Sequence, residues 1–95
     1  MTICTVVATF VPKPEFRDEI KLLLQQQAVI VRDEPGCQYY DLYEQVNGNL
    51  VFVEAWSTRE LWISHNDAPT VKAINAGVEG KLLSPVQVQE LYQAN

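Results

Sequence analysis

The amino-acid sequence predicts an α+β fold, a ferredoxin-like split βαβ sandwich. Apolar residues alternate at period two, switch to the helical period of about 3.6, and repeat this change further on. Proline and glycine clusters fall at each switch, and an Asn-Gly pair divides the two middle strand-like runs. The resulting order is β-α-β-β-α-β.

The first strand is read over Thr2 to Val11, where β-branched residues dominate, and Pro12 and Pro14 end it. From Glu15, a helical face carries Phe16, Ile20, Leu23, Leu24, Gln27, Ala28 and Val31, with Arg17, Glu19, Lys21 and Gln25 opposite. The run Asp33-Glu34-Pro35-Gly36 stops that helix, because a residue before proline disfavours the helical region and Gly36 permits a turn. CQYYDLYEQ and LVFVEAW are the middle strands. Ser57 followed by Glu60 has the form of a capping box and starts a helix with Leu61, Trp62 and His65. Pro69 breaks or restarts it, Val71, Ile74 and Val78 continue at helical spacing, and Gly77 and Gly80 loosen its end. SPVQVQELY alternates again as the last strand, with Pro85 tolerable at its beginning.

Asn47-Gly48 suits a two-residue type I′ hairpin turn. That turn pairs Tyr43 with Phe52, Asp41 with Glu54 and Tyr39 with Trp56, so Tyr40, Leu42, Val51, Val53 and Ala55 form an aliphatic core face. Asp41 then opposes Glu54 directly, an unfavourable contact unless a proton or cation intervenes. A three-residue loop shifts the pairing by one and removes the clash. Both registers stay open on the sequence alone.

The 95 residues form one domain, residues 1–95, with the 47% hydrophobic and 20% charged residues of a folded globular chain. A formal net charge of −5 with scattered Lys and Arg argues against nucleic acid and anionic membranes as partners. No segment has the apolar length of a membrane span, and the N-terminal stretch lacks a signal peptide's basic start and cleavage site. Cys4 and Cys37, without CxxC spacing, read as reduced thiols of a cytoplasmic protein. A sheet covered by helices on one side leaves its other face bare, so a homodimer packed sheet to sheet is expected.

There is no phosphate loop, HExxH, GxSxG or Cys/His metal cluster. The lone histidine, His65, stands at i+3 from Trp62, so both share a helix face. The pair is either an aromatic wall beside a proton-transfer imidazole or a packed indole near an ordinary helix end. Asn66 and Asp67 either cap the helix restarting at Pro69 or, for Asn66, touch a ligand. Glu54, between apolar neighbours, is a salt-bridge partner or a carboxyl of raised pKa. Tyr39, Tyr40, Tyr43, Phe52 and Trp56 could clasp a flat ring or simply pack.

The segments EPGCQYYDLYEQ, FVEAW, STRELWISHNDAPTVKA and SPVQV, in this order and spacing, resemble the antibiotic biosynthesis monooxygenase domain family, including its quinol monooxygenase and autoinducer-degrading relatives. The resemblance runs from Thr2 to Tyr92. It implies a dimeric ferredoxin-like α+β barrel and an oxygenase that uses O₂ as co-substrate without metal, flavin or haem. The implied substrate is a small aromatic quinol, phenol or anthrone. On the family's pattern His65 becomes the general base or proton shuttle, Trp62 a pocket wall, and Asn66 their neighbour. Tyr40, Phe52, Glu54, Trp56 and Lys72 are the expected substrate-binding set. Thr70 occupies the place where some relatives carry a second histidine, which excludes a two-histidine site. The haem-degrading branch needs a histidine near Asn75 and an asparagine in the first strand, and TICTVVAT has none. An isomerase or degrading enzyme for a small, optionally phosphorylated carbonyl compound would need a cation such as Lys72 or Arg59. A non-enzymatic dimeric binding module is the third reading.

Overall fold

The computed structural model describes residues 2–95; Met1, included in the sequence-based domain, lies outside them. The elements are β1 (Cys4–Phe10), a single 3₁₀ turn (Pro14–Phe16), α1 (Arg17–Val31), β2 (Cys37–Glu44), β3 (Leu50–Trp56), α2 (Arg59–Asn66), α3 (Pro69–Val78) and β4 (Gln87–Leu91). They build one antiparallel sheet of order β2-β3-β1-β4 with the helices on one face, the anticipated α+β ferredoxin-like arrangement. No helix of the described residues is long and apolar enough to cross a membrane.

Side-chain parity sorts the sheet. Cys4, Val6 and Phe10 of β1, Tyr40 of β2, and Leu50, Phe52 and Trp56 of β3 pack with Ile20, Leu24, Ala28 and Val31 of α1 into one core. The other face carries Val7, Tyr39, Tyr43, Val51, Val53 and Leu91, half-buried or exposed.

Of the two hairpin registers, the structure has the three-residue one. Gln45 N–H donates to Asn49 O, Gly48 N–H donates to Gln45 O, and Val46-Asn47-Gly48 forms a three-residue loop. Gly48 alone in this loop has positive φ (95°), so the type I′ geometry, which needs it at two positions, is absent. Asn47 Oδ1 instead accepts from Asn49 N–H (3.1 Å), and Arg17 Nε donates to Gly48 O (3.0 Å). The register therefore shifts: Tyr40 opposes Glu54, Asp41 opposes Val53, and Leu42 opposes Phe52. Asp41 and Glu54 fall on opposite faces, and Asp41 pairs outward with Arg32 at 3.4 Å. A bulge between Cys37 and Tyr39 sets Tyr39 against Ala55 rather than Trp56. Tyr40 and Leu42 thus share the core face with Phe52, Glu54 and Trp56, not with Val51 and Val53.

The start of α2 also differs. Thr58, not Ser57, is the N-cap; its hydroxyl oxygen accepts from Leu61 N–H (3.2 Å), and no Ser57–Glu60 box forms. Ala68 precedes α3 without a side-chain cap, so neither Asn66 nor Asp67 caps that helix. Pro69 occupies its first turn, where a missing N–H costs nothing. Gly77 lies inside α3 and admits the Leu23 side chain, whose Cδ2 would stand 2.3 Å from an added Cβ. This glycine permits close packing of α1 on α3 rather than loosening a helix end.

Candidate functional site

The turn after α1 and the start of α2 are fastened together, and this fixes the histidine. Gly36 has φ of +84°, and a Cβ there would lie 2.5 Å from Leu61 Cδ1. Ser57 N–H donates to Gly36 O at 2.8 Å. This close approach carries Glu34, two residues earlier, to the second turn of α2. His65 Nδ1 meets Glu34 Oε1 at 2.7 Å, and Thr70 Oγ1 donates to Glu34 Oε2 at 2.6 Å. A carboxylate only accepts hydrogen bonds, so Nδ1 is the donor of this contact, and in the neutral ring the lone pair lies on Nε2. The ring is 5% exposed, stacked on Trp56 (centroids 4.6 Å apart, planes at 29°) and edge-on to Tyr40 (5.5 Å, 71°). Carboxylate, backing indole and phenol together leave the imidazole little freedom to turn.

Beside it lies a cavity of about 460 Å³, within the range of small-molecule sites. Its apolar wall includes Val6, Phe10, Phe52, Trp62, Val71, Ile74 and Val88. Its polar lining comes from Tyr40, Glu54, His65, Asn66, Asn75 and Glu90. Every buried side-chain nitrogen or oxygen among the described residues has a hydrogen-bond partner. His65 Nε2 has no protein partner, so it is open to this space rather than sealed in the core.

Glu54 is 3% exposed and sits on the core face of β3. Trp56 Nε1–H donates to its Oε1 at 2.9 Å. Burial lifts the Glu54 carboxyl to about 7, against the smaller opposing effect of the indole hydrogen bond. Burial likewise drives the Tyr40 phenol far upward and the Cys37 thiol up to about 11, so both are neutral near pH 7. The Cys4 thiol is also raised by burial. Neither cysteine has the low-pKa surroundings of a nucleophile.

The expected site residues divide clearly. Trp62, His65, Asn66, Tyr40, Phe52 and Glu54 all line the one cavity. Trp56 is fully buried behind the imidazole and is not part of the wall. Lys72 is exposed and lies outside the wall. Arg59 stands 5.9 Å over the Trp62 ring with its Nε bonded to Glu90 at 2.6 Å, so its charge is already matched. Of the aromatic cluster, Tyr39 and Tyr43 project from the bare face, away from Tyr40, Phe52 and Trp56.

Glu34, Asn75 and Glu90 were not legible as site residues. Glu34 stands 31 positions before His65, within a motif that signals only a helix stop. A more open groove of about 680 Å³ runs between α1 and β2, lined by Lys21, Gln25 and Arg32 among others. Its cations are committed: Lys21 pairs with Glu44, as does Arg17 from beside the groove, and Arg32 pairs with Asp41. It offers no histidine or buried carboxyl.

Known proteins resemble this chain in sequence and in fold. Rv0793 of Mycobacterium tuberculosis, whose name gives monooxygenase as a proposed activity, is 36% identical over 87 residues, 90% of this chain and 86% of its own. The structure of that protein matches with a TM-score of 0.91 at 33% identity, covering 98% of this chain and 96% of the other. PA3566 from Pseudomonas aeruginosa shares the fold, with a TM-score of 0.91 at 23% identity over 100% of this chain and 97% of its own. The sequence profile described as antibiotic biosynthesis monooxygenase matches residues 3–77. The chain therefore belongs to the antibiotic biosynthesis monooxygenase family.

Proposed function

We propose that this protein is a cofactor-independent monooxygenase of a small, electron-rich aromatic phenol, quinol or anthrone, with O₂ as co-substrate. The observation that carries the reading is a buried histidine whose Nδ1 is engaged by Glu34 and whose Nε2 is open to an apolar, ring-sized cavity. His65 Nε2 takes the phenolic proton, and Glu34 stabilises the imidazolium that results. The phenolate in a water-poor cavity is a strong one-electron donor, so it reduces O₂ to superoxide. Radical recombination forms a carbon–oxygen bond. Cleavage of the O–O bond with loss of the C–H proton then leaves a carbonyl. The balance is phenol plus O₂ giving quinone plus water, with the substrate supplying every electron. Trp62 and Phe52 flank the ring, and Asn66 and Asn75 offer amide groups to its oxygens.

The wall, among the described residues, contains no Lys or Arg. A phosphorylated carbonyl metabolite would find no cation there, which favours oxygenation over the isomerase reading. The bare face of the sheet is assigned to a second copy, giving a homodimer.

An oxygen electrode with a quinol and anthrone panel, with and without chelator, tests the proposal. Expected is chelator-insensitive O₂ uptake that falls by about 10²–10⁴-fold in His65→Ala, the usual contribution of a general base. Undiminished uptake in that variant removes His65 from the chemistry. Full turnover under strict anaerobiosis supports the isomerase instead.

A further inference from the structure

We infer that Glu54 is a second substrate-touching group of this cavity, a carboxyl that donates a hydrogen bond to an oxygen of the bound ring, in a wall without Lys or Arg that takes uncharged oxygenated aromatics in preference to aryl carboxylates, sulfates and phosphates. The inference rests on the ring-binding reading above but concerns a different residue and a different property.

The geometry leaves Glu54 one free oxygen. Oε1 accepts the Trp56 indole N–H at 2.9 Å, whereas Oε2 has no protein partner. Because no buried side-chain oxygen among the described residues lacks a partner, Oε2 faces the cavity that Glu54 lines. With Oε1 occupied as an acceptor, a proton on the carboxyl sits on Oε2 and points at the ligand.

The surroundings favour that proton. Facing Glu54 are Tyr40 and Cys37 of β2, Cys4 of β1, Glu90 of β4, Glu34 of the turn and His65 of α2. The phenol and thiols are neutral, the Glu34 carboxylate repels a charge, Glu90 is paired with Arg59, and no Lys or Arg forms an ion pair with Glu54. A buried carboxylate without a cation is costly, so the group holds its proton up to about 7. The cavity thus presents an acceptor, His65 Nε2, and a donor, Glu54 Oε2, both backed by the same Trp56 indole. An acceptor and a donor in one site suit a neutral ring whose oxygens need both a base and an acid. An anionic ligand would meet a wall without Lys or Arg, beside which the Arg59 charge is already taken by Glu90.

The test is equilibrium binding, without oxygen, of 1-naphthol and 1-naphthoate, read by quenching of tryptophan fluorescence. At pH 6 the wild type should bind naphthol at least about tenfold more tightly than naphthoate, the scale of one unpaired or opposed charge. At pH 6 the Glu54→Gln ratio should stay close to that of the wild type, since the protonated carboxyl and the amide are both neutral donors; at pH 8 it should lie several-fold below that of the wild type, whose carboxylate then repels naphthoate. Wild-type affinity for naphthol should fall between pH 6 and pH 8, whereas that of Glu54→Gln should not. Equal binding of both probes, or the same alkaline fall in the variant, overturns the role of Glu54 and leaves the ring-binding reading intact. Binding of neither probe overturns both. Infrared spectroscopy of the wild type needs no variant: a protonated-carboxyl band present at pH 6 and lost by pH 8.5 is expected, and its absence at pH 6 contradicts the inference.

Discussion

The two faces of the sheet are built from alternate residues of the same strands, yet they solve opposite problems. On the helix-covered face, Phe52 and Trp56 are fully buried and Glu54 is 3% exposed, with Trp56 holding the carboxyl and Glu34 the neighbouring imidazole. On the other face the intervening Val51 and Val53 are half-buried, and Tyr39 and Tyr43 are 41% and 56% exposed. One face encloses polar groups, each held by a neighbour at one atom and open to the cavity at the other; the other leaves apolar groups uncovered. An internal polar site is stable where packing dictates every rotamer, whereas an uncovered apolar face calls for another surface.

The contrast can be broken most severely by truncation. Phe52→Ala should cost about 3–5 kcal/mol in urea unfolding, the usual loss for a buried phenylalanine, whereas Val53→Ala next to it should cost under about 1 kcal/mol in the monomer. Equal costs would mean that both faces are equally packed.

Glu54 provides the next largest effect, through pH. Its folded pKa of about 7 lies above the ordinary 4.5, so between these values the folded chain binds more protons than the unfolded one. Its contribution is fully present below pH 4.5 and is lost as pH rises through about 7. This amounts to about 3 kcal/mol. Unfolding of wild type and Glu54→Gln at pH 5 and pH 8 should show this decline in the wild type alone.

Gly36→Ala follows, at about 1–3 kcal/mol, because φ is +84° and the new methyl meets Leu61. It should also lower activity, since the turn that carries Glu34 moves with it. Val53→Glu, on the bare face, should change monomer stability by about 0.5 kcal/mol or less but dissociate the dimer in sedimentation velocity. A wild type that sediments as a monomer contradicts the two-copy assignment.

The strands and helices were legible because their periods are strong: Ile20, Leu24, Ala28 and Val31 repeat with the turn of α1, and β-branched residues fill β1. The Trp62–His65 pair was legible through its place in the family's pattern. The register was not. A single residue of loop length decides whether Tyr40 shares its face with Phe52 and Glu54 or with Val51 and Val53, and Asn47-Gly48 suits either length. Glu34 was hidden for another reason: its partnership with His65 spans 31 positions and exists only because Gly36 lets the turn press against Leu61. Contacts made by close backbone approach leave no periodic trace. Lys72 shows the converse, a residue that fits a pattern yet stays outside the cavity.

The chain has one histidine, so ¹⁵N labelling of histidine reads the proposed base alone. The free protein near pH 7 should show the tautomer with Nδ1 protonated and Nε2 bare, and a bound phenol should shift the Nε2 resonance selectively. Glu34→Gln, whose amide can donate to Nδ1, should move the proton to Nε2. A wild-type spectrum with the proton already on Nε2, or one unchanged by a saturating phenol, would contradict the assignment of His65 as the group that accepts the substrate's proton.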